Sequence, residues 1–313
     1  MVEVPLMKQS SIKLWFNATR PKFLTAVIVP IILGSVIAFV YENAFYPLYF
    51  ILALFGGISL HAGTNIANDY FDFKSGTDVI NKEVTPFSGG SDFLREGILK
   101  PRDVLIASII LLGIGIAIGL YFTFVIGWFL LLLGLIGALC GFFYVGLASK
   151  GLGEAAIGIN FGPLCVIGAY YVQTAKITLI PLIASIPIAF LITAVVWINQ
   201  FPDYVADKEV GKDHLVVRLG RSLSAVRVYH GLIIGTYVAI ALSIIFSFLP
   251  LFCLISFITL PLFAIPGMKI AHKNYLDTPK LIPAQAMTIM THLFTGILLI
   301  VGFLIHYFVL IVL

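Results

Sequence analysis

Residues 178–212 read TLIPLIASIPIAFLITAVVWINQFPDYVADKEVGK, and the two parts of this stretch differ in kind. The first 23 residues, through Gln200, contain no charged side chain, whereas the next 12 carry Asp203, Asp207, Lys208, Glu209 and Lys212. An uncharged apolar run of about 20 residues has the length of a helix that crosses hydrocarbon. By the same rule eight further runs qualify, so that nine spans are expected over 23–41, 46–67, 104–123, 127–147, 154–172, 178–200, 224–247, 249–268 and 287–312. They are continuous rather than alternating, which excludes a transmembrane β-barrel. The expected fold is an all-α polytopic membrane protein.

Composition agrees. The 313 residues are 60% hydrophobic and 11% charged, against about 25% charged in a soluble domain. So few charges cannot cover a water-facing surface, and the bilayer must be the solvent for most of the exterior. One domain over 1–313 is expected, because a helical bundle of this kind folds as a unit. Cys140, Cys165 and Cys253 all fall in apolar stretches without metal-ligand spacing, so neither a disulfide framework nor a zinc site is expected. The polar residues before the first span, and its full length, argue against a cleaved signal peptide.

The connections alternate. Those at 42–45, 124–126, 173–177 and 248 are short, while 68–103, 201–223 and 269–286 are long and polar and all follow even-numbered spans. They therefore share one side of the membrane with the N-terminus. Of the 19 Lys and Arg residues, Lys176 alone falls on the opposite side. The bias places the N-terminus and the long capping loops in the cytoplasm and, after nine crossings, Leu313 outside. Gly115/Gly119 and Gly137/Gly141 have small-xxx-small spacing and read as helix packing points.

Carboxylates at the ends of spans are costly, which makes them functional candidates. One set leaves the second span in NIANDYFDFKSGTD: Asn65, Asn68, Asp69, Asp72 and Asp78. The other leaves the sixth in NQFPDYVADKEVGK: Asn199, Asp203 and Asp207. Asn65, Asp69 and Asp72 fall at i, i+4 and i+7, and Asn199, Asp203 and Asp207 at i, i+4 and i+8, so each set lines one helix face. Four crossings separate the sets, which puts both at the same surface. Asn68 and Asp72 align with Asn199 and Asp203 as a weak parallel repeat; Gly76 breaks it where Asp207 would call for an acid, a place that Asp78 can fill from the loop.

Four acids facing one another would repel and raise each other's pKa without a cation. Oxygen donors around Mg²⁺ fit better, since that ion takes one or two carboxylates together with water and phosphate oxygens. The pattern thus proposes Mg²⁺ bridging a diphosphate, with Lys74, Lys150, Lys212 and Arg218 available to neutralise remaining phosphate charge. Neither a Walker A run nor G-x-G-x-x-G is present, and no nucleotide or nucleic-acid partner is expected. Pro202 is expected to kink or restart the sixth helix. Glu154 reads as an acid at a helix start, His61 as a hydrogen-bonded core histidine with a substrate contact as the alternative, and His214 as a residue of the capping loop.

These motifs resemble the UbiA superfamily of intramembrane prenyltransferases. NDYFDFKSGTD, with Ser88-Gly89-Gly90-Ser91 and REGILKP after it, is similar to the first aspartate-rich motif of that family, and NQFPDYVADKEVGKDHLVVRLG to the second. Further similarity lies in ATRPKFLTAVIVPIILG, YVGLASKGLGE and NFGPLCVIGAYYVQ. The wording is closest to the menaquinone-type branch, in which Asp78 stands six residues after Asp72. The resemblance implies nine helices around a central cavity, Mg²⁺ on Asp69, Asp72, Asp203 and Asp207, and transfer of a polyprenyl group from its diphosphate to an aromatic acceptor, 1,4-dihydroxy-2-naphthoate in that branch. It further implies that Asn68 and Asn199 orient the diphosphate, that Lys150 contacts phosphate and that Tyr144 faces an allylic cation. Arg20 reaches the cavity mouth or, like Lys22, anchors lipid headgroups. Relatives acting on geranylgeranylglyceryl phosphate, 4-hydroxybenzoate or homogentisate share both motifs, and a cation-coupled transporter is the alternative of another class. The expected location is the plasma membrane with the site on its cytoplasmic side.

Overall fold

The computed structural model describes residues 11–76, 83, 85–87, 92–142 and 151–312. Asp78, Tyr144 and Lys150 lie outside the described residues, which carry no strand. In chain order the helices are α1 (Ser11–Ala18), α2 (Thr25–Glu42), α3 (Pro47–Ser75), α4 (Asp92–Arg95), α5 (Pro101–Val125) and α6 (Phe129–Phe142). There follow α7 (Gly153–Thr174), α8 (Leu179–Glu209), α9 (Leu215–Leu219), α10 (Leu223–Ile245), α11 (Leu251–Asn274) and α12 (Thr278–Val312).

Among the described residues, eight helices are long and apolar enough to cross a membrane: α2, α3, α5, α7, α8, α10, α11 and α12. The fourth expected span is described as the shorter apolar helix α6. Large side chains such as Ile109, Phe124, Leu135, Ile245 and Leu262 face outward, as they must where lipid is the solvent.

The polar connections are shorter than the sequence suggested. Helix α3 continues to Ser75 and α8 to Glu209, so both acidic motifs lie on helix, not in the loops 68–103 and 201–223. The stretch 269–286 is almost wholly helical, with only residues 275–277 between α11 and α12. Charge and helix are compatible where polar residues repeat at i and i+4; the chain leaves the helix only at glycines that accept a left-handed backbone, Gly76 (φ 81°) and Gly211 (φ 77°).

Pro202 does not restart α8, which runs as one helix through both Pro187 and Pro202. Ile198 and Phe201, fully buried against α10 and α12, hold the helix despite the missing N–H. The helices α7 and α11 instead widen to π turns, at Asn160–Leu164 and Leu260–Ala264, each containing a proline.

Two cores sit side by side. Leu33, Ile37, Val166, Ile188, Leu299 and Phe303 join α2, α7, α8 and α12. Trp197, Phe201, Tyr229, Ile233 and Leu281 join α8, α10 and α12. The α2–α7 contact depends on Gly34, where a Cβ would stand 2.3 Å from the Val166 carbonyl oxygen. Gly34→Val is therefore expected to destabilise the bundle by about 1–3 kcal/mol, read as a lower thermal midpoint in detergent, with Gly119→Val as the silent control. Of the glycines marked by spacing, Gly115 packs on Leu60 and the Gly56 carbonyl and Gly137 on Asn160, whereas Gly119 and Gly141 face open space.

The two ends of the bundle differ chemically. At one, Lys176 pairs with Glu42, which also accepts a hydrogen bond from the Tyr170 hydroxyl at 3.0 Å. At the other end stand the acidic helix ends.

Candidate active site

The face of α3 presents His61, Asn65, Asp69 and Asp72 in succession, and that of α8 presents Asn199, Asp203 and Asp207. What joins the two faces is Lys212. Its Nζ lies 3.3 Å from Asp72 Oδ1 and 3.2 Å from Asp207 Oδ1. Burial alone would lower the Lys212 pKa, but the charges of Asp72 and Asp207 outweigh it and hold the ammonium above the ordinary lysine value.

The position of Lys212 is a consequence of how α8 ends. Gly211 takes the left-handed backbone, its N–H donates to the Lys208 carbonyl at 3.3 Å, and the Lys212 N–H donates to the Asp207 carbonyl at 2.8 Å. This is the Schellman termination, and it folds the chain back along the last turn. Lys212 is thereby returned to the side of Asp207, five residues earlier.

The same loop then supplies His214. Its Nδ1 accepts from the Val217 N–H at 3.4 Å as the N-cap of α9, which assigns the ring proton to Nε2, 3.0 Å from Asp207 Oδ2. Asp207 is thus engaged on both oxygens. Glu154, buried in the first turn of α7, accepts from the Leu215 N–H at 3.1 Å and stands 4.0 Å from His214 Nδ1. It stands at the start of its own helix, as expected, and also accepts from the first residue of α9. Sequence reading gave His214 and Glu154 little weight because their partners lie across the fold.

On the α3 side, Asn65 Nδ2 donates to the Thr19 carbonyl at 3.0 Å. That bond tethers the segment entering α2, in which Arg20 adopts a left-handed backbone (φ 55°, ψ 62°) and forms an ion pair with the buried Asp69. A non-glycine residue in that region costs about 1–2 kcal/mol, so the contacts around Arg20 hold it there. Arg20 is thereby turned to the acidic end of α3, onto Asp69.

The paired asparagines differ in their engagement. Asn68 Nδ2 donates to Asp72 Oδ2 at 3.0 Å. Asn199 Oδ1 accepts from Gln285 Nε2 of α12 at 3.0 Å, leaving its own NH₂ as the group to offer. Gln285 is fully buried and was missed; it falls in the stretch 269–286 read as a polar connection, and its only local signal is an uncharged amide between Ala284 and Ala286 just before the last apolar run.

Other expected residues stand apart. Lys74 turns back over the Tyr70 ring, 6.0 Å from its centroid. Arg218 pairs with Asp213 in its own loop, Nε to Oδ2 3.1 Å. Asp203 lies one turn before Asp207 and is half-buried. His61 is buried against Phe161 at 4.7 Å between ring centroids, but its Nδ1 has no hydrogen-bond partner among the described residues, contrary to the reading as a satisfied core histidine. Arg221 ties the cap together: it reaches the Tyr275 carbonyl at 3.0 Å, Glu83 Oε2 at 2.7 Å and Thr278 Oγ1 at 3.1 Å.

A multi-pass helical bundle whose acidic helix ends converge at one surface, under a basic loop, has the make-up of a membrane-embedded transferase for an anionic substrate. The chain belongs to the UbiA prenyltransferase family, which it matches over residues 27–290, and it is a prenyl-transferring enzyme. It is 31% identical over 306 residues to the 1,4-dihydroxy-2-naphthoate octaprenyltransferase of Bacillus subtilis (strain 168), covering 96% of this chain and 95% of that one. The protein of the same name from Escherichia coli (strain K12) is 30% identical over 300 residues, covering 92% and 94%. Among solved structures, a UbiA homologue from Archaeoglobus fulgidus bound to GPP and Mg²⁺ shares the fold with a TM-score of 0.59 at 15% identity, covering 91% of this chain and 99% of that one.

Proposed function

We propose that this enzyme transfers a polyprenyl group from an isoprenyl diphosphate to 1,4-dihydroxy-2-naphthoate, a step of menaquinone biosynthesis, in a Mg²⁺-dependent reaction. The observation that carries the site is the meeting of Asp72 and Asp207 on one cation, the Lys212 ammonium. The acceptor rests on the naphthoate octaprenyltransferases that align along nearly the whole chain.

Among the described residues, no three His, Cys, Asp or Glu side chains stand together as a complete metal site. The donor set nevertheless fits Mg²⁺: it is all oxygen, it already brackets a positive charge, and this ion needs only one or two carboxylates when phosphate oxygens and water complete its shell. Asp69, Asp72, Asp203 and Asp207 would hold it, and the solved relative was bound to GPP and Mg²⁺. When bound, Mg²⁺ supplies Lewis-acid charge that neutralises the diphosphate.

The chain's own groups do the rest. Lys212, released from its carboxylates, and Arg20 meet the outer phosphate oxygens, while the Asn199 amide donates to a bridging one. The allylic C–O bond then breaks with its electron pair leaving on the diphosphate. The electron-rich acceptor carbon attacks the resulting cation, with loss of carbon dioxide from that position in the naphthoate case, and the role of stabilising the cation is given to Tyr144 on the family resemblance alone. Apolar walls keep water away. One domain of nine crossing helices around a cavity, with the N-terminus and the site on the cytoplasmic face of the plasma membrane, completes the reading; the one-sided distribution of Lys and Arg supports that orientation.

The test is an acceptor panel. Purified protein with Mg²⁺ and geranylgeranyl or octaprenyl diphosphate is expected to prenylate 1,4-dihydroxy-2-naphthoate at least tenfold faster than 4-hydroxybenzoate, homogentisate or geranylgeranylglyceryl phosphate, with product identified by mass. Preference for another acceptor would replace the naphthoate assignment.

A further inference from the structure

A concavity of about 320 Å³ lies on the outside of the bundle between α10 and α11, lined by His230, Ile265, Met268, Lys269 and His272. We propose that it is a headgroup site for an anionic phospholipid. Its depth, its charge and its apolar floor all point to that ligand.

Depth comes from helix geometry. His230 follows the start of α10 by seven residues, roughly 10 Å of rise, and His272 precedes the end of α11 by two, roughly 3 Å. Both ends belong to the basic end of the bundle, so the concavity sits at the level of headgroup and glycerol. Below it the same faces expose Ile234 and Val238 of α10 and Ile258 and Leu262 of α11, which need acyl chains against them.

Charge comes from α11, whose Lys269 lines the concavity. The rings of His230 and His272 stack with centroids 6.0 Å apart and planes at 29°, and Lys269 stands one turn before His272. His230 Nε2 donates to the Met268 carbonyl at 3.0 Å, which fixes the ring with a proton on Nε2. Arg227, three residues before His230, and Lys273, next to His272 in the chain, are exposed. The acid that follows α11, Asp277, is held by Lys280 at 2.7 Å. A concavity with Lys269 and His272 of α11 on its wall, open to lipid at headgroup depth, matches the phosphate of an anionic phospholipid. Ile265 and Met268 floor it with apolar surface against which the first methylenes can lie.

The experiment is native mass spectrometry of the full-length protein, delipidated in detergent and then incubated with phosphatidylglycerol, phosphatidylcholine or inorganic phosphate. One phosphatidylglycerol is expected to be retained at least fivefold more strongly than phosphatidylcholine. Retention should drop at least fivefold in Lys269→Gln/His272→Gln, while prenyl transfer in detergent is unchanged. Lys269→Arg/His272→Lys should keep the lipid, which guards against a fold defect in the first variant. Equal retention by the glutamine variant, loss of lipid from the charge-preserving variant, equal binding of phosphatidylcholine, or displacement by millimolar inorganic phosphate would each overturn the proposal.

Discussion

Asp72→Asn and Asp207→Asn are each expected to lower kcat/KM for prenyl transfer by about 10²–10³-fold or more, the scale of losing one preorganised group at a developing charge. The two acids come from helices that are far apart in sequence, yet one ammonium touches both. Asparagine preserves shape and removes only the charge, so the fold should survive. Thermal midpoints within a few degrees of wild type would confirm that, and steady-state assays across Mg²⁺ concentration read the effect. Asp213→Asn is the matched control: it is an exposed acid on the same loop, paired with Arg218, and full activity is expected there. A variant of Asp72 or Asp207 that keeps more than a tenth of wild-type turnover would remove that residue from the site.

Lys212→Met should separate binding from stability. Without the ammonium, the carboxylates of Asp72 and Asp207 lose the cation they share, so the metal-free protein is expected to melt earlier than wild type. Added Mg²⁺ should then raise its midpoint by more than it raises that of wild type, because the ion no longer competes with a built-in cation. Turnover should nonetheless fall at least tenfold, since the diphosphate loses a cationic partner. An unchanged Mg²⁺-dependent shift would show that Lys212 and the metal do not share a position. The pH dependence has a definite sign. The Lys212 pKa is raised in the folded protein, so its stabilising bridge is complete below the unfolded lysine pKa and is lost only as pH rises through the folded value, above the neutral range. Wild type and Lys212→Met should therefore keep their difference throughout neutral pH and converge only in strong alkali.

Much of the site was visible one helix at a time. Asp69, Asp72, Asp203 and Asp207 were readable because acids at the ends of spans are rare and costly, and because helical spacing tells which of them share a face. Lys74 and Arg218 were readable as basic, but not as turned onto Tyr70 and Asp213, because a flexible cation takes whichever local partner the backbone offers. The internal repeat matched Asp72 to Asp203, whereas the residue that meets Asp72 across Lys212 is Asp207. Register along one helix does not determine which turn of another helix comes opposite. Gln285, Glu154 and Arg221 carry no local motif; each matters through a partner 61 to 138 residues away.

By itself, the sequence determined the solvent, the all-helical class and the end of the bundle where charge collects. Those follow from hydropathy over about 20 residues, from helical periodicity and from the side on which Lys and Arg collect, all of them properties of neighbouring residues. Only the tertiary structure decided which acids meet, that Lys212 lies between them and that His214 and Gln285 support the site. Such pairings depend on a Schellman turn at Gly211 and on the packing of α3, α8 and α12, and contact between distant side chains is set by how helices dock, which no local spacing encodes.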